Sequence, residues 1–399
     1  MKIFIISIYS FPLGLAPTNR IIAYSKGLIS NGADVTVILP FPTDKHTSTY
    51  LPKSGNYQGI NYIYTSYRYK NKLKVFRAFL HFTGLRKLVG LFFASIYFLK
   101  NYKNKNIDHI VISTDEISTL FVFSIIGKIC KAKSVFIFDE YPIPIRHKLK
   151  DRIPKLKEFL YRLVLKQING YVSISEKLKE YYCNLSPKPT LILSSITDIS
   201  RFKSEKRDCQ LNDSYLCYMG NMELAKDDVD NIIKAFSIVS PKYPELTLRL
   251  YGSPNLKSKD YLMNIVNKLG LTNRVLFMGK ITFDQVPSVL SNAKILVSSQ
   301  PNTVRASGGF PTKLGEYLAS GTPSIITDVG ENSRYVKDGE HLFFVEPNNP
   351  MAYANKLVFV LENYIQALTI GERGKEYIFN NYSNTKKALE MKDFLDSLT

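Results

Sequence analysis

Short runs of apolar residues, too continuous to alternate and too short to cross a bilayer, recur along this chain with helical segments between them. In the first half they read KIFIISI, DVTVILP, IDHIVIS, SVFIFD and GYVSIS. In the second half they read SYLCYMG, LTLRLYG, RVLFMG, KILVSS, PSIIT and HLFFV. A strand that is apolar on both faces belongs to a parallel sheet covered on both sides. The intervening segments supply the covering helices. TNRIIAYSKGLISNG places Ile21, Ile22, Leu28 and Ile29 at helical spacing and ends on Gly32, a C-cap signal. ISTLFVFSIIGKICKA is a second such helix. Repeated βα winding predicts an α/β protein of doubly wound, Rossmann-like domains. The pattern loosens between Leu191 and Arg207 and then restarts, so two domains are expected, 1–198 and 199–383. A last helix at about 384–399 is expected to pack back on the first domain. Open parallel sheets bind ligands beyond the carboxyl ends of their strands, and two such sheets facing each other would form a deep cleft.

At 399 residues, 45% hydrophobic and 22% charged, the chain can bury two ordinary cores and is not of a disordered class. Cys130, Cys183, Cys209 and Cys217 form no C-x-x-C pair and no ligand spacing with the five histidines, His109 and His147 included. No metal or disulfide framework is expected, and a reducing, cytoplasmic setting fits. MKIFIISIYSFPLGLAPTNR reads as a first strand rather than a signal peptide, because proline breaks the apolar run and no A-x-A site follows. The longest apolar run, Leu88–Leu99, is below the ~18–20 residues of a spanning helix.

The net charge of +19 is unevenly placed. Residues 1–200 hold 29 Lys and Arg against 12 Asp and Glu, whereas residues 201–399 hold 24 against 22. The region 51–107 has 11 basic residues and no acid, interleaved with Phe, Leu and Tyr. A polyanionic partner for the first half follows. Nucleic acid and anionic membrane both meet that description, as does a helix packed on the domain with a solvated basic face. No nucleic-acid motif is present, so the membrane surface is the expected partner and nucleic acid is not.

One stretch concentrates chemistry. SGGFPTKLGEYLASGTPSI, Ser307–Ile325, is a glycine turn, a helix start with Thr312 able to cap and Lys313 in its first turn, and one acid, Glu316, a turn further in. Free N–H groups and the positive dipole end at a helix start suit a diphosphate, with no metal required to carry its charge. A carboxylate at Glu316 can accept two ribose hydroxyls. Second-domain strands end in YMGN, LYGS, FMGK and LVSSQ, small residues that let a ligand approach the backbone or that simply make βα turns.

These residues resemble the family 4 glycosyltransferases of the GT-B fold, over most of the chain and most closely from Ser214 to about Ser383. The resemblance implies a retaining, nucleotide-sugar-dependent enzyme in which Glu316 is the second glutamate of an E-x7-E pair and binds the ribose. The first glutamate falls at Gly308, a departure that touches the donor sugar, where backbone N–H groups of the glycine turn are the substitute. YMGNMELAKDD matches the segment whose arginine and lysine reach the donor diphosphate. The lysine is Lys226 and the arginine position is Asn221, leaving Arg305 or Lys313 as candidates for the missing charge. RVLFMGKITFDQVPSVLSNAKILVSS resembles the segment whose backbone beside Lys280–Ile281 receives the base. SITDISRF resembles the interdomain signature through Asp198 and Phe202, and Gly14 in FPLGLAPTNR matches the glycine loop over the donor phosphate. FDEYPIP puts Asp139 and Glu140 at a strand's carboxyl end, where either could orient an acceptor hydroxyl as a base or serve as a cap or ion pair.

The function expected is transfer of a sugar from a nucleotide diphosphate, UDP by family frequency, to a membrane-associated, lipid-linked glycan acceptor in surface polysaccharide synthesis. The enzyme would work without a metal or other cofactor and sit peripherally on the inner face of the cell membrane, through the basic 51–107 region. A nucleotide-sugar 2-epimerase on the same fold, and a catalytically degenerate membrane- or nucleic-acid-binding scaffold, are the alternatives.

Overall fold

The computed structural model describes residues 1–14, 16–41, 52–66, 85–102, 107–148, 152–194, 196–203, 214–224, 226–309 and 312–399. The chain divides into two compact units. The first comprises Met1–Pro144, Arg152–Ile196 and Asn384–Thr399, and the second Ile145–Asp151 and Thr197–Ser383.

Among the described residues the first unit contains one eight-stranded sheet. Its strands are β1 (Lys2–Ser7), β2 (Asp34–Leu39), β3 (Ser54–Tyr57), β4 (Ile60–Tyr64), β5 (His109–Ser113), β6 (Lys133–Phe138), β7 (Gly170–Ser173) and β8 (Thr190–Ile192). The order is 3-4-2-1-5-6-7-8, parallel except for the edge hairpin β3–β4. β1 runs through the middle, with Ile3 opposite Val35 on one side and His109 on the other. Ile3, Phe4, Ile5 and Ile6 are all buried, as an apolar run covered on both faces requires, and each contributes about 1.5–3 kcal/mol of transfer free energy. The helix Asn384–Ser397 packs on the helix Ala16–Ser30 in this unit. They meet at Gly27, where a Cβ would lie 2.2 Å from the carbonyl oxygen of Asn384, so only glycine lets the helices come this close.

The second unit has a six-stranded parallel sheet: β9 (Tyr215–Met219), β10 (Thr247–Tyr251), β11 (Val275–Gly279), β12 (Ile295–Ser298), β13 (Ser324–Thr327) and β14 (Phe343–Val345). The order is 11-10-9-12-13-14, so the winding reverses between β9 and β12. In an open α/β sheet that reversal leaves a crevice beyond the carboxyl ends of the two strands, the usual place for a ligand. Beyond β9 the chain passes very close to the turn after β10. Gly252, at φ +134°, would place a Cβ 1.8 Å from the carbonyl oxygen of Gly220.

Candidate functional site

The helix Thr312–Ala319 is built to lie against the reversal point. Leu314, Tyr317 and Leu318 recur at helical spacing and are buried, which turns Glu316 toward the less covered side. The Tyr317 hydroxyl accepts from the Met219 N–H (3.0 Å) and donates to the Val297 carbonyl (3.3 Å). One side chain therefore ties the carboxyl ends of β9 and β12 together beneath the helix. Burial pushes the Tyr317 hydroxyl well above its ordinary pKa, so it stays a neutral donor.

Three ion pairs surround this helix. Arg201 donates from Nη1 to Glu316 Oε1 (2.5 Å) and from Nη2 to the Phe283 carbonyl (2.6 Å). Its guanidinium lies 3.4 Å from the centroid of the Phe283 ring. The Arg201 side chain is only 11% exposed, so its charge is compensated chiefly by Glu316 and the Phe283 face. Lys313 Nζ meets Asp227 Oδ1 at 2.8 Å and the Tyr218 hydroxyl at 3.3 Å, with both charged side chains largely buried. Arg305 Nη1 meets Glu223 Oε1 at 3.1 Å. The loop after β9 thus holds two acids that fix two cations of the helical segments Val304–Gly308 and Thr312–Ala319.

The sequence candidates distribute as follows. Glu316 and Lys313 share this helix, but the Lys313 ammonium is turned to Asp227 and the Tyr218 ring rather than left free for a diphosphate. Arg305, the other candidate for the missing charge, is likewise engaged, by Glu223. Lys226 lies in the loop between these acids, Asn221 is exposed at its start, and Gly308 ends its short helix buried. Lys280 is exposed just beyond β11. Thr312 opens its helix, but its side chain and the turn residues Phe310 and Pro311 lie outside the described residues. In the first unit, Gly14 follows β1, and Thr18 donates to the Ser10 carbonyl beside it (2.6 Å). Asp139, at the end of β6, is ion-paired with Arg20 of the helix Ala16–Ser30, while Glu140 next to it is half-buried. Much of the basic 51–107 region, 67–84 and 103–106, lies outside the described residues.

Sequence reasoning missed Arg201, Asp227, Glu223 and Arg20. The available signal for Arg201 was its place in SITDISRF, within the short helical turn Ile199–Phe202 that Asp198 caps. A small recess also opens here, lined by Gln300, Lys313, Thr327 and Asn332 among others. Asn332 donates to the Thr327 carbonyl (3.4 Å), while its buried Oδ1 has no partner. Among the described residues no group of three or more His, Cys, Asp or Glu is placed to hold a metal ion.

Residues 200–377, nearly the whole second unit, match the family model for glycosyl transferases group 1. A sucrose-phosphate synthase from Thermosynechococcus elongatus superposes with a TM-score of 0.73 at 16% identity, over 100% of this chain and 98% of that one. Anabaena Alr3699/HepE, solved in complex with UDP and glucose, gives 0.69 at 17% identity over 100% of both chains. The fold is GT-B. Among curated relatives, an uncharacterized glycosyltransferase of Methanocaldococcus jannaschii, MJ1069, is 22% identical over 247 residues, 59% of this chain and 60% of its own length. The site built around Glu316 thus lies in the matched, carboxyl-terminal unit of the GT-B fold, within the group 1 segment.

Proposed function

We propose that this chain is a glycosyltransferase that takes a sugar from a nucleotide-diphosphate donor, UDP-linked by preference, and passes it to a membrane-borne glycan acceptor with retention at the anomeric carbon. The observation that carries the reading is Glu316, held on the helix Thr312–Ala319 by Arg201, whose guanidinium also binds the Phe283 carbonyl and covers its ring. A ribose needs a carboxylate that accepts two hydroxyls from a fixed position, and a base needs a flat surface and backbone polar groups near it. Glu316 would take the ribose, and the backbone beside Lys280–Ile281 would receive the base.

The diphosphate would take the N–H groups at the start of the helix Thr312–Ala319, with Lys226 of the loop after β9 as a further ligand. Lys313 and Arg305, each already paired with an acid, hold the loop in place rather than add free charge. The bond from the anomeric carbon to the leaving phosphate oxygen breaks as the bond to the acceptor oxygen forms on the same face. The acceptor's proton passes to the departing phosphate, so the reaction asks no protein base of Asp139, which Arg20 already engages. No metal is assigned a role.

Titration calorimetry with UDP, GDP, ADP and CMP in the presence of EDTA tests this reading. The wild type is expected to bind one of them, and Glu316→Ala to weaken it by about 1–3 kcal/mol, the scale of lost charge-assisted hydrogen bonds. An unchanged affinity in the variant refutes the ribose role. A folded wild type that binds none of the four refutes the donor reading itself.

A further inference from the structure

Three helices of the first unit, Arg86–Tyr102, Ile117–Ile129 and Lys155–Leu165, pack side by side. A helix on a soluble domain normally turns one apolar stripe to the core and polar residues to water. The helix Lys155–Leu165 has two apolar stripes. Tyr161, Val164 and Leu165 face the core, while Leu156, Phe159, Leu160 and Leu163 stand at i, i+3, i+4 and i+7 on the outside. Those four are 72%, 57%, 40% and 44% exposed. The neighbouring helices, packed against it in turn, also carry exposed Phe121 and Phe92. Scattered exposed apolar residues need no explanation, but a stripe in register along one helix does.

We infer that this three-helix face rests on an anionic lipid surface, with the outward stripe of Lys155–Leu165 lying at the headgroup–acyl boundary. Charge decides between the possible occupants. The three helices carry three, one and three Lys or Arg, against the single acid Glu158. A second copy of the same face would bring like charges together, which argues against a self-association surface. Nucleic acid would want aromatic planes for its bases, whereas this stripe is largely leucine, a shape that suits acyl chains. Cations around an apolar stripe are what an anionic bilayer attracts and then buries. Among the described residues no helix is long and apolar enough to cross a membrane, so the helices would lie on the surface. The inference deepens the acceptor side of the proposed function, since it gives the chain a way to reach a membrane-borne glycan, but it rests on the first unit alone.

The chain contains no tryptophan, so a single introduced indole reports its own surroundings. Phe159→Trp is compared with Ile365→Trp, which marks an exposed apolar position of the second unit. Both are mixed with vesicles of phosphatidylcholine containing phosphatidylglycerol, and with phosphatidylcholine alone. The expected result is a blue shift of Phe159→Trp with the anionic vesicles only, quenching by brominated acyl chains, and no response from Ile365→Trp. In sedimentation, binding is expected to fall at least about tenfold in Phe159→Gln/Leu163→Gln and to weaken with added salt, while UDP titration of that variant matches the wild type. The proposal is overturned if Phe159→Trp is silent with anionic vesicles, if both indoles respond alike, or if the shift appears without lipid as protein concentration rises or on adding RNA. UDP binding reads the donor site separately, so loss of one result leaves the other standing.

Discussion

The two units share a doubly wound parallel sheet and differ in how their charged residues balance, although Arg20 of the first is also turned onto an acid, Asp139. In the first, an excess of cations stands around helices whose outer faces are apolar. In the second, where cations and anions nearly balance, three arginine or lysine side chains are turned inward onto named acids: Arg201 onto Glu316, Arg305 onto Glu223 and Lys313 onto Asp227. The topology is common to both and decides neither arrangement. What differs is whether a charge is placed to meet something outside the chain or to hold a loop of the chain itself. Substitution separates the two, because a charge that holds a loop is costly to remove and a displayed one is not.

The largest effect is expected at Lys313. Replacing it by Met strands Asp227 in a buried position beside the Tyr218 hydroxyl, and breaking a buried pair in this way costs about 3–5 kcal/mol. Removing a displayed cation of the first unit, as in Lys155→Ala, is expected to stay within about 0.5 kcal/mol. Urea unfolding measures both, and the double variant Lys313→Met/Asp227→Leu should recover most of the loss. A Lys313→Met cost as small as that of Lys155→Ala would erase the distinction between the units.

Arg201 should show a smaller effect on stability, since its partner Glu316 is less buried than Asp227, and an additional one in binding. Its fork joins Glu316 to the Phe283 carbonyl, so Arg201→Ala is expected to weaken UDP by roughly 1–2 kcal/mol, and Arg201→Lys by about half of that, since a point charge cannot serve both acceptors. The informative control is the 2′-deoxy analogue of UDP. If Arg201 aims Glu316 at the ribose, the preference for UDP over the analogue shrinks in Arg201→Ala. Equal weakening of both nucleotides would mean that Arg201 supports the fold and not the carboxylate.

The strands that the sequence announces are those buried on both faces. KIFIIS, SVFIF and YLCYM are apolar without interruption, and they became β1, β6 and β9 within a residue or so. The hairpin β3–β4 was not announced, because SGNYQGINYIY carries glycines and asparagines in an edge whose faces alternate in exposure. At the site, Glu316 was legible from its distance to a helix start, a local relation. Its partner was not, because Arg201 lies 115 residues away and only the folded sheet brings them together. The same limit explains Lys313. A lysine in the first turn of a helix reads as a phosphate ligand until the loop after β9 places Asp227 against it. Helix Lys155–Leu165 is the opposite case, since its outward stripe is plain in KLKEFLYRLVL once one knows which side is covered.

The last contrast is in pH, where the units should again differ in sign. In the second unit Asp228, whose N–H donates to the Ser299 carbonyl (2.9 Å), is pushed up to about 7, chiefly by burial and then by the hydrogen bond and repulsion of Asp230. Burial raises Asp230 too, but the bond from Asp228 and the Lys234 ammonium outweigh it and hold it low, so the two acids titrate as a pair. The folded chain keeps a proton on Asp228 that the unfolded chain releases near 3.8. Its contribution is therefore complete below pH 3.8 and is lost as the pH rises to about 7. In the first unit His109 sits within β5 with neither ring nitrogen hydrogen-bonded, and burial lowers its pKa against the pull of Asp108 and Asp396. The folded state holds it neutral, so its contribution is present above pH 6.5 and is lost as the pH falls below that value. Unfolding measured from pH 4 to 8 is expected to become flatter on the rising side in Asp228→Asn and on the acid side in His109→Leu. If Asp228→Asn leaves the slope between pH 4 and 7 unchanged, the acid is solvated in the folded chain and the loop after β9 is more open than its buried ion pairs imply.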